Sequence, residues 1–242
     1  MIVLFNDFGL AGPYVGQMKA VLHRLAPAVP VIDLFADAPT RKPQAAAYLL
    51  AAYAAWFPAG SVFLAVVDPG VGGERAALIV EADGRRYVGP GNGLFELVRR
   101  RARAATVAEI TWRPTELSAS FHGRDLFAPV AARLAVGEAP EAEERSPDFA
   151  RRRDWPDDLA EIVYVDHYGN ALTGLRAALL PANAVLVAAS QRLARARTFS
   201  DVAIGGAFWY ENSNGLAEIA VNLGRADEAL GLGIGSRISV EA

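Results

Sequence analysis

Up to about residue 136 the chain alternates short runs rich in Val, Ile and Leu with longer amphipathic stretches, and that alternation restricts the fold more than any single motif. Residues 2–5, 31–34, 62–67 and 78–81 are compact apolar runs followed closely by Gly, Pro or Asp, as buried parallel strands usually are. Between the first two, Pro13 opens a helix in which Tyr14, Met18, Val21, Leu22 and Leu25 recur at i, i+4, i+7, i+8 and i+11, a single helical face. Residues 44–57, 94–101 and 126–136 read as three more helices. Strand–helix–strand alternation predicts an N-terminal α/β layer sandwich with a mainly parallel sheet, assigned to residues 1–145.

Residues 137–158 change character. They are polar, carry three prolines and have weak periodicity, which predicts a linker running over the surface. Beyond it, residues 161–165, 184–188, 208–210, 216–221 and 237–240 read as short strands separated by Gly and Asn turns. That spacing predicts a second, small all-β, barrel-like domain over residues 159–242.

Composition removes whole classes of chemistry. There is no cysteine, so disulfides, thiolate nucleophiles and cysteine-ligated metals are excluded. Acids number 27 against 24 bases, a net charge of −3, too even for a chain that grips nucleic-acid backbones. Lys19 and Lys42 are the only candidates for lysine chemistry. Apolar runs are far shorter than the roughly 20 residues of a membrane-spanning helix. The first residues lack a basic stretch before a long apolar run, so the expectation is a cytoplasmic protein without a membrane partner. Asp7-Phe8-Gly9 spells a kinase metal loop, but only six residues precede it. The glycine runs at 70–73 and 231–235 miss the dinucleotide spacing, no lysine follows a glycine, and three scattered histidines predict no metal centre.

Four polar clusters remain, placed where strands end or helices begin: 6–9, 68–75, 121–125 and 166–170. In an open α/β sheet ligands bind beyond the carboxyl ends of the strands, so the first two are placed to share one crevice. Each also has a plain explanation. Asp68 can cap the Asp-Pro-Gly turn, and Asp7 can be a turn acid. His122 and Asp125 can serve a helix start, and Asn170 beside Gly169 can be a hairpin turn.

LFNDFG, GPYVGQMKAVL, VVDPGVGGER, FHGRDLFAPVAARLA, VDHYGNALT and NSNGLAEIAVN occur in that order. Together they closely resemble the S-adenosyl-L-methionine (SAM) hydroxide adenosyltransferases, relatives of the SAM-dependent fluorinase and chlorinase. The resemblance spans nearly the whole chain apart from the linker. It implies SAM as substrate rather than cofactor, no other cofactor, and hydrolysis to adenosine and L-methionine. It implies a homotrimer in which the adenosyl ligand lies between the N-terminal domain of one subunit and the C-terminal domain of its neighbour. It maps the hydrolytic Asp–Arg–His set onto Asp68, Arg75 and His122. For the substrate it implies Asp7 on the ribose hydroxyls, Asn170 on the adenine edge, Tyr168 against the base and Asp166 on the methionine amino group. Tyr210, Ser213, Glu218 and Val221 complete the pocket by the same resemblance.

The implied reaction is an in-line displacement at the ribose C5′ carbon in which a sulfonium leaves as neutral methionine, so the obstacle is the poor nucleophile, water. Arg75 stays protonated and can polarise the water. His122, with an ordinary pKa of about 6.5, is the expected proton acceptor, and Asp68 the group orienting Arg75. The chain departs from the family pattern at Asn6, where Thr is usual, at Ala36, where His is common, near Arg41, where an aromatic is expected, and at Gly91, which replaces the Asp of Asp-Asn-Gly. A halide-dependent adenosyltransferase and a non-catalytic SAM or adenosine sensor are the alternatives. Retention of Asp68, Arg75 and His122 argues against the first, while the substitutions at Asn6 and Gly91 would permit the second.

Overall fold

The first strand, β1 (Ile2–Asn6), is buried along its whole length. Its side chains alternate between two apolar layers, as a strand's period of two requires. Ile2 and Leu4 face a layer built with Met18 and Leu22 of α1 (Tyr14–Leu25) and Val130 and Ala131 of α4 (Ala128–Ala135). Phe5 points the other way, edge-on to Phe35, which is edge-on to Tyr53 of α2 (Pro43–Ala54). The computed structural model from which these contacts are taken describes residues 1–241; Ala242, the last residue of the predicted C-terminal domain, lies outside them. It divides into two units, Met1–Asp154 and the remainder from Trp155.

The first unit is built on a seven-stranded sheet. β2 (Val31–Phe35), β1, β3 (Val62–Val66) and β5 (Arg85–Pro90) pair in parallel in that order. The mainly parallel sheet expected from the sequence describes this half. Beyond β5 the pairing turns antiparallel through β4 (Ala77–Ala82), β6 (Ala105–Ile110) and β7 (Ala142–Glu144). The reason is local: β4 and β5 are joined by Asp83 and Gly84, at φ +47° and +75°, a primed hairpin turn that leaves no room for a crossover. Strand β5 opens with two arginines and ends in Gly-Pro, which hides it from an apolar-run search.

Much of the expected linker belongs to this unit. β7 lies within it, and the residues after β7 are tied to α3 (Glu96–Arg101). Arg99 donates to the Phe149 carbonyl at 2.9 Å, and Glu96 accepts from Arg100, Arg151 and the Arg152 amide. Burial alone pushes the Glu96 carboxyl up; Arg151, the Arg152 amide and Arg100 outweigh it and hold the group below its ordinary range.

In the second unit, β12 (Ala207–Glu211), β13 (Leu216–Val221), β9 (Ala171–Arg176) and β8 (Leu159–Val165) form a four-stranded antiparallel sheet. β11 (Gln191–Leu193), β10 (Val185–Ala188) and β14 (Ser239–Glu241) form a three-stranded one. The sheets join at both ends: Glu161 bridges to Arg237 and Arg195 to Trp209. The strands therefore close into the barrel-like ring expected from the sequence. Fully buried Trp209 fills the middle and donates its indole N–H to the Ala184 carbonyl at 3.0 Å. Strand β9 carries Gly174 at its centre because a Cβ there would stand 2.7 Å from that of Leu159. Among the described residues no helix is long and apolar enough to cross a membrane.

Glu96 has no side-chain exposure, and its arginine partners Arg100 and Arg151 keep only 20% and 23%. Replacing it by Gln is expected to lower unfolding stability by about 3 kcal/mol, the low end for stranding the partners of a buried acid. Because its folded pKa is depressed, its contribution is present above the ordinary value of 4.5 and fades as pH falls through the folded pKa. Urea unfolding at pH 7 and pH 4 checks this: the gap between wild type and Glu96→Gln shrinks at the lower pH.

Candidate active site

Asp68 follows the C-terminal end of β3, where the Val67 carbonyl accepts from Asn92 Nδ2 at 2.9 Å. The chain then turns on two short bonds, Val71 N–H to the Asp68 carbonyl and Gly73 N–H to the Gly70 carbonyl. Between them Gly72 sits at φ +79°, with the Ala119 carbonyl oxygen 2.5 Å from where a Cβ would stand, so a side chain is excluded twice over. The reversal returns Arg75 to Asp68. Arg75 Nε lies 2.9 Å from both carboxylate oxygens and Nη2 also donates to Oδ2. The pair is sequestered, with side-chain exposures of 12% for Arg75 and 4% for Asp68.

The same Nη2 stands 3.0 Å from His122 Nδ1, and the Arg75 guanidinium carbon lies 5.2 Å from the centre of the Phe127 ring. Guanidinium has only donors, so Nδ1 is the acceptor and the neutral imidazole carries its hydrogen on Nε2. Burial, and then the Arg75 charge, push the His122 pKa below its ordinary value. This changes the role expected of the histidine: its one lone pair is committed to Arg75, and it takes a proton only by giving up that contact. His122 directly precedes a π-helical turn, Gly123–Phe127, which leads into α4 and places Phe127 under the guanidinium. Such turns insert one extra residue and recur at functional sites.

Asp7 follows β1 and accepts from the Arg41 amide at 2.8 Å, with Arg41 in the left-handed region at φ +56°. Burial, reinforced by the nearby Asp68, pushes its carboxyl above the ordinary range, although the Arg41 amide pulls the other way. Asp7, Arg41, Asp68, Phe121 and His122 line one cleft of about 70 Å³. That is room for about two waters at the liquid volume of about 30 Å³ each.

The second unit carries a larger pocket, about 650 Å³, lined by Asp166, Tyr168, Asn170, Tyr210 and Val221 among others. Asp166 Oδ1 accepts from the amides of Tyr168 and Asn170, both at 2.9 Å, closing the 166–170 loop on itself. Gly169, at φ +81°, is pressed against Arg225 and Asp227 at the start of α5 (Ala226–Leu230), and Arg225 donates to the His167 carbonyl at 2.9 Å. Glu218 lies behind the wall, 4% exposed, accepting from Tyr210 Oη and Asn212 Nδ2 at 2.5 and 2.8 Å. Burial first, and Asp166 nearby, push its carboxyl up, although the Tyr210, Asn212 and Asn170 hydrogen bonds oppose this. Ser213 is exposed in the turn between β12 and β13, its Oγ accepting from Asn214 Nδ2 at 3.3 Å, and is not among the lining residues.

Phe199, which no motif marks, lines the pocket edge-on to Phe208 and Tyr210 at 5.2 and 5.4 Å. Its only signal is a lone aromatic in a polar, arginine-rich segment. Arg41, a departure from the family pattern, lines the cleft and donates its backbone amide to Asp7. The other departures sit behind the loops. Asn6 is buried, its Oδ1 accepting from the Phe8 amide and its Nδ2 without a partner among the described residues. The Ala36 carbonyl accepts from Gly9, and Gly91 donates to the Ala76 carbonyl. Among the described residues no group of three or more His, Cys, Asp or Glu is placed to hold a metal ion.

Residues 2–144 match the SAM hydroxide adenosyltransferase N-terminal domain, and residues 160–239 the SAM hydroxide adenosyltransferase C-terminal domain. A protein of Thermus thermophilus named (R)-S-adenosyl-L-methionine hydrolase is 41% identical over 96% of this chain and 95% of its own length. One of Salinispora tropica with the same name is 39% identical over 98% and 96%. Among solved structures, an uncharacterized conserved protein from Thermotoga maritima superposes with a TM-score of 0.89 at 30% identity, covering 100% of both chains.

The tautomer is directly observable. Nitrogen-15 NMR of the full chain is expected to show His122 protonated at Nε2 and not at Nδ1, titrating below about 6.5. Arg75→Ala removes one of the two leading causes of that depression and is expected to move the midpoint upward.

Proposed function

The chain belongs to the SAM hydroxide adenosyltransferase family, and from that premise we propose that Asp68, Arg75 and His122 prepare a water molecule for in-line attack on the ribose C5′ carbon of SAM. The enzyme hydrolyses SAM, giving adenosine and L-methionine in this reading. The observation that carries the mechanism is that a carboxylate and an imidazole lining one small cleft, Asp68 and His122, are bridged by the Arg75 guanidinium.

The C5′–O bond forms from the water oxygen as the C5′–S bond breaks. The sulfonium takes the electron pair and leaves as the neutral thioether of methionine. Arg75, held on one side by Asp68 and on another by His122, aims positive charge at the oxygen as it becomes hydroxide-like. Since His122 Nδ1 is occupied, the water's proton goes to Asp68, whose carboxylate keeps lone pairs free, and from there to solvent. A hydroxide-like nucleophile and a sulfonium neutralise one another, so a site where both charged side chains are sequestered favours the step. Water and SAM complete the balance without a cofactor.

Substrate capture follows the family pattern. Asp7 takes the ribose hydroxyls, Asn170 the adenine edge, Tyr168 the base face and Asp166 the methionine amino group. The cleft at Asp68 measures about 70 Å³ against about 650 Å³ for the C-terminal pocket, which has the size of a nucleoside site. We therefore propose that the enzyme acts as a homotrimer in which the C-terminal unit of a neighbouring copy brings the nucleoside to the cleft. The cytoplasmic location expected from the sequence belongs to the same proposal. The relatives' names specify the R epimer at sulfur, and we carry that preference to this enzyme.

Incubation with SAM epimerised at sulfur, in ¹⁸O-labelled water, is expected to release methionine and adenosine labelled at the 5′ oxygen, to consume the R epimer first, and to need no halide. Arg75→Ala is expected to reduce turnover by about 10²–10³-fold, the usual loss of one oxyanion-stabilising donor. Unlabelled adenosine or a chloride requirement would overturn direct hydrolysis.

A further inference from the structure

The far end of the N-terminal sheet carries a cavity that the catalytic groups leave unused. Strand β5 runs parallel to β3, so its first residues lie opposite the end where Asp7 and Asp68 follow β1 and β3. Arg85 and Tyr87, two residues apart, share one face of β5 there. Ala51 and Ala54 of α2, with Ala55 just after it, are one turn apart and wall the space with small side chains. Val98 and Arg101 of α3, again one turn apart, and Asp83 of the hairpin turn complete a cavity of about 160 Å³.

Tyr87 is the group that packing does not explain. It is 3% exposed, its ring stacked on Phe63 at 5.0 Å and tilted against Phe95 at 5.9 Å, contacts a phenylalanine would make equally well. The hydroxyl has no hydrogen-bond partner among the described residues, and it is not one of the enclosed unpartnered atoms, so it opens into the cavity that Tyr87 lines. Burial first, and Asp83 nearby, push the phenol up to about 12, although Arg85 pulls the other way. The group therefore keeps its proton and stands ready as a donor.

Arg85 is fixed beside it. Nε donates to the Phe57 carbonyl at 2.6 Å and Nη2 to the Ala55 carbonyl at 3.2 Å, which leaves Nη1 without a partner among the described residues. Arg101 places its guanidinium carbon 5.9 Å from the centre of the Tyr48 ring. Asp83, whose Oδ1 accepts from the Arg103 amide at 3.0 Å, is the one acid against these two arginines, so positive charge is in excess.

We propose that this cavity binds a short aliphatic monocarboxylate, its oxygens held by Tyr87 Oη and Arg85 Nη1 and its alkyl end against Ala51 and Ala54. At about 30 Å³ per non-hydrogen atom the space takes about five such atoms, the size of propionate. Phosphate fits the donors but brings further charge toward Asp83 and offers the alanine methyls no apolar part.

Propionate titrated into the full-length protein, with sodium chloride holding the ionic strength constant, tests this by NMR. Saturation transfer to the propionate methyl is expected to give a Kd on the order of 1 mM, and the Tyr87 ring signals are expected to shift along the same curve. Inorganic phosphate is expected to bind more weakly. Tyr87→Phe, which keeps the ring and loses only the hydroxyl, is expected to weaken propionate by about tenfold, as one hydrogen bond to a charged group is worth. Ala51→Leu, which fills the space from α2, is expected to abolish binding, and both variants are expected to hydrolyse SAM as wild type does. If the hydroxyl meets only water, propionate leaves the wild-type Tyr87 signals unmoved, and the proposal is overturned without recourse to any variant. Equal affinity in wild type and Tyr87→Phe also overturns it, and phosphate binding tighter than propionate overturns the choice of a carboxylate.

Discussion

A guanidinium pinned between a carboxylate and an imidazole organises one end of the N-terminal sheet. Removing Asp68 and Arg75 from water costs more than their attraction returns in most buried pairs, so the contact is poor value as a source of stability. Its worth is directional. Nε and Nη2 are spent on Asp68, Nη2 also reaches His122, and Phe127 covers the guanidinium at 5.2 Å. A side chain with this many fixed neighbours has little rotational freedom left to lose when a ligand arrives. The surrounding features serve the same placement: Asn92 braces the carbonyl before Asp68, Gly72 lets the loop pass Ala119, and the π-helical turn sets His122 and Phe127.

The C-terminal pocket follows the same logic with the charge reversed. There a carboxylate is the centre, and amide and hydroxyl donors are arranged around it. In both places a buried acidic or basic group dictates the orientation of a neutral neighbour, the His122 tautomer in one and the Asn212 amide in the other, whose nitrogen donates to Glu218 while its oxygen accepts from the Asn214 and Leu216 amides. Such orientations usually have to be inferred from hydrogen-bond networks; here acceptor-only and donor-only partners leave one assignment.

The N-terminal strands 2–5, 62–67 and 78–81 were legible because largely buried strands read as continuous apolar runs, whereas 31–34 was legible from its Val, Ile and Leu alone, since β2 is a sheet edge with Ile32 and Asp33 exposed. Strands β5 and β9 were not, since their identity lies in what they touch: β5 starts on arginines and β9 holds a glycine because Leu159 crowds it. The polar stretch after residue 137 looked like a tether because its anchors are carbonyls and charges, not apolar side chains. For the site, the polar clusters singled out in the sequence include Asp68 and His122, which line the small cleft and are bridged by Arg75, and Asp166, which lines the larger pocket. Which nitrogen of His122 is free, and that Glu218 stands behind the wall and not in it, depend on distances of a few tenths of an ångström that no spacing in a sequence encodes.

The bridges Glu161–Arg237 and Arg195–Trp209 have a bearing on assembly. With its strands hydrogen-bonded all the way round, the C-terminal unit offers no open row of amides and carbonyls onto which a foreign strand might add. Any copy of the chain that docks there has to be gripped by protruding loops such as those bearing Tyr168, Ile204 and Leu223, at 73%, 77% and 82% exposure. Recognition of that kind is tuned residue by residue, without a backbone template for cross-chain pairing.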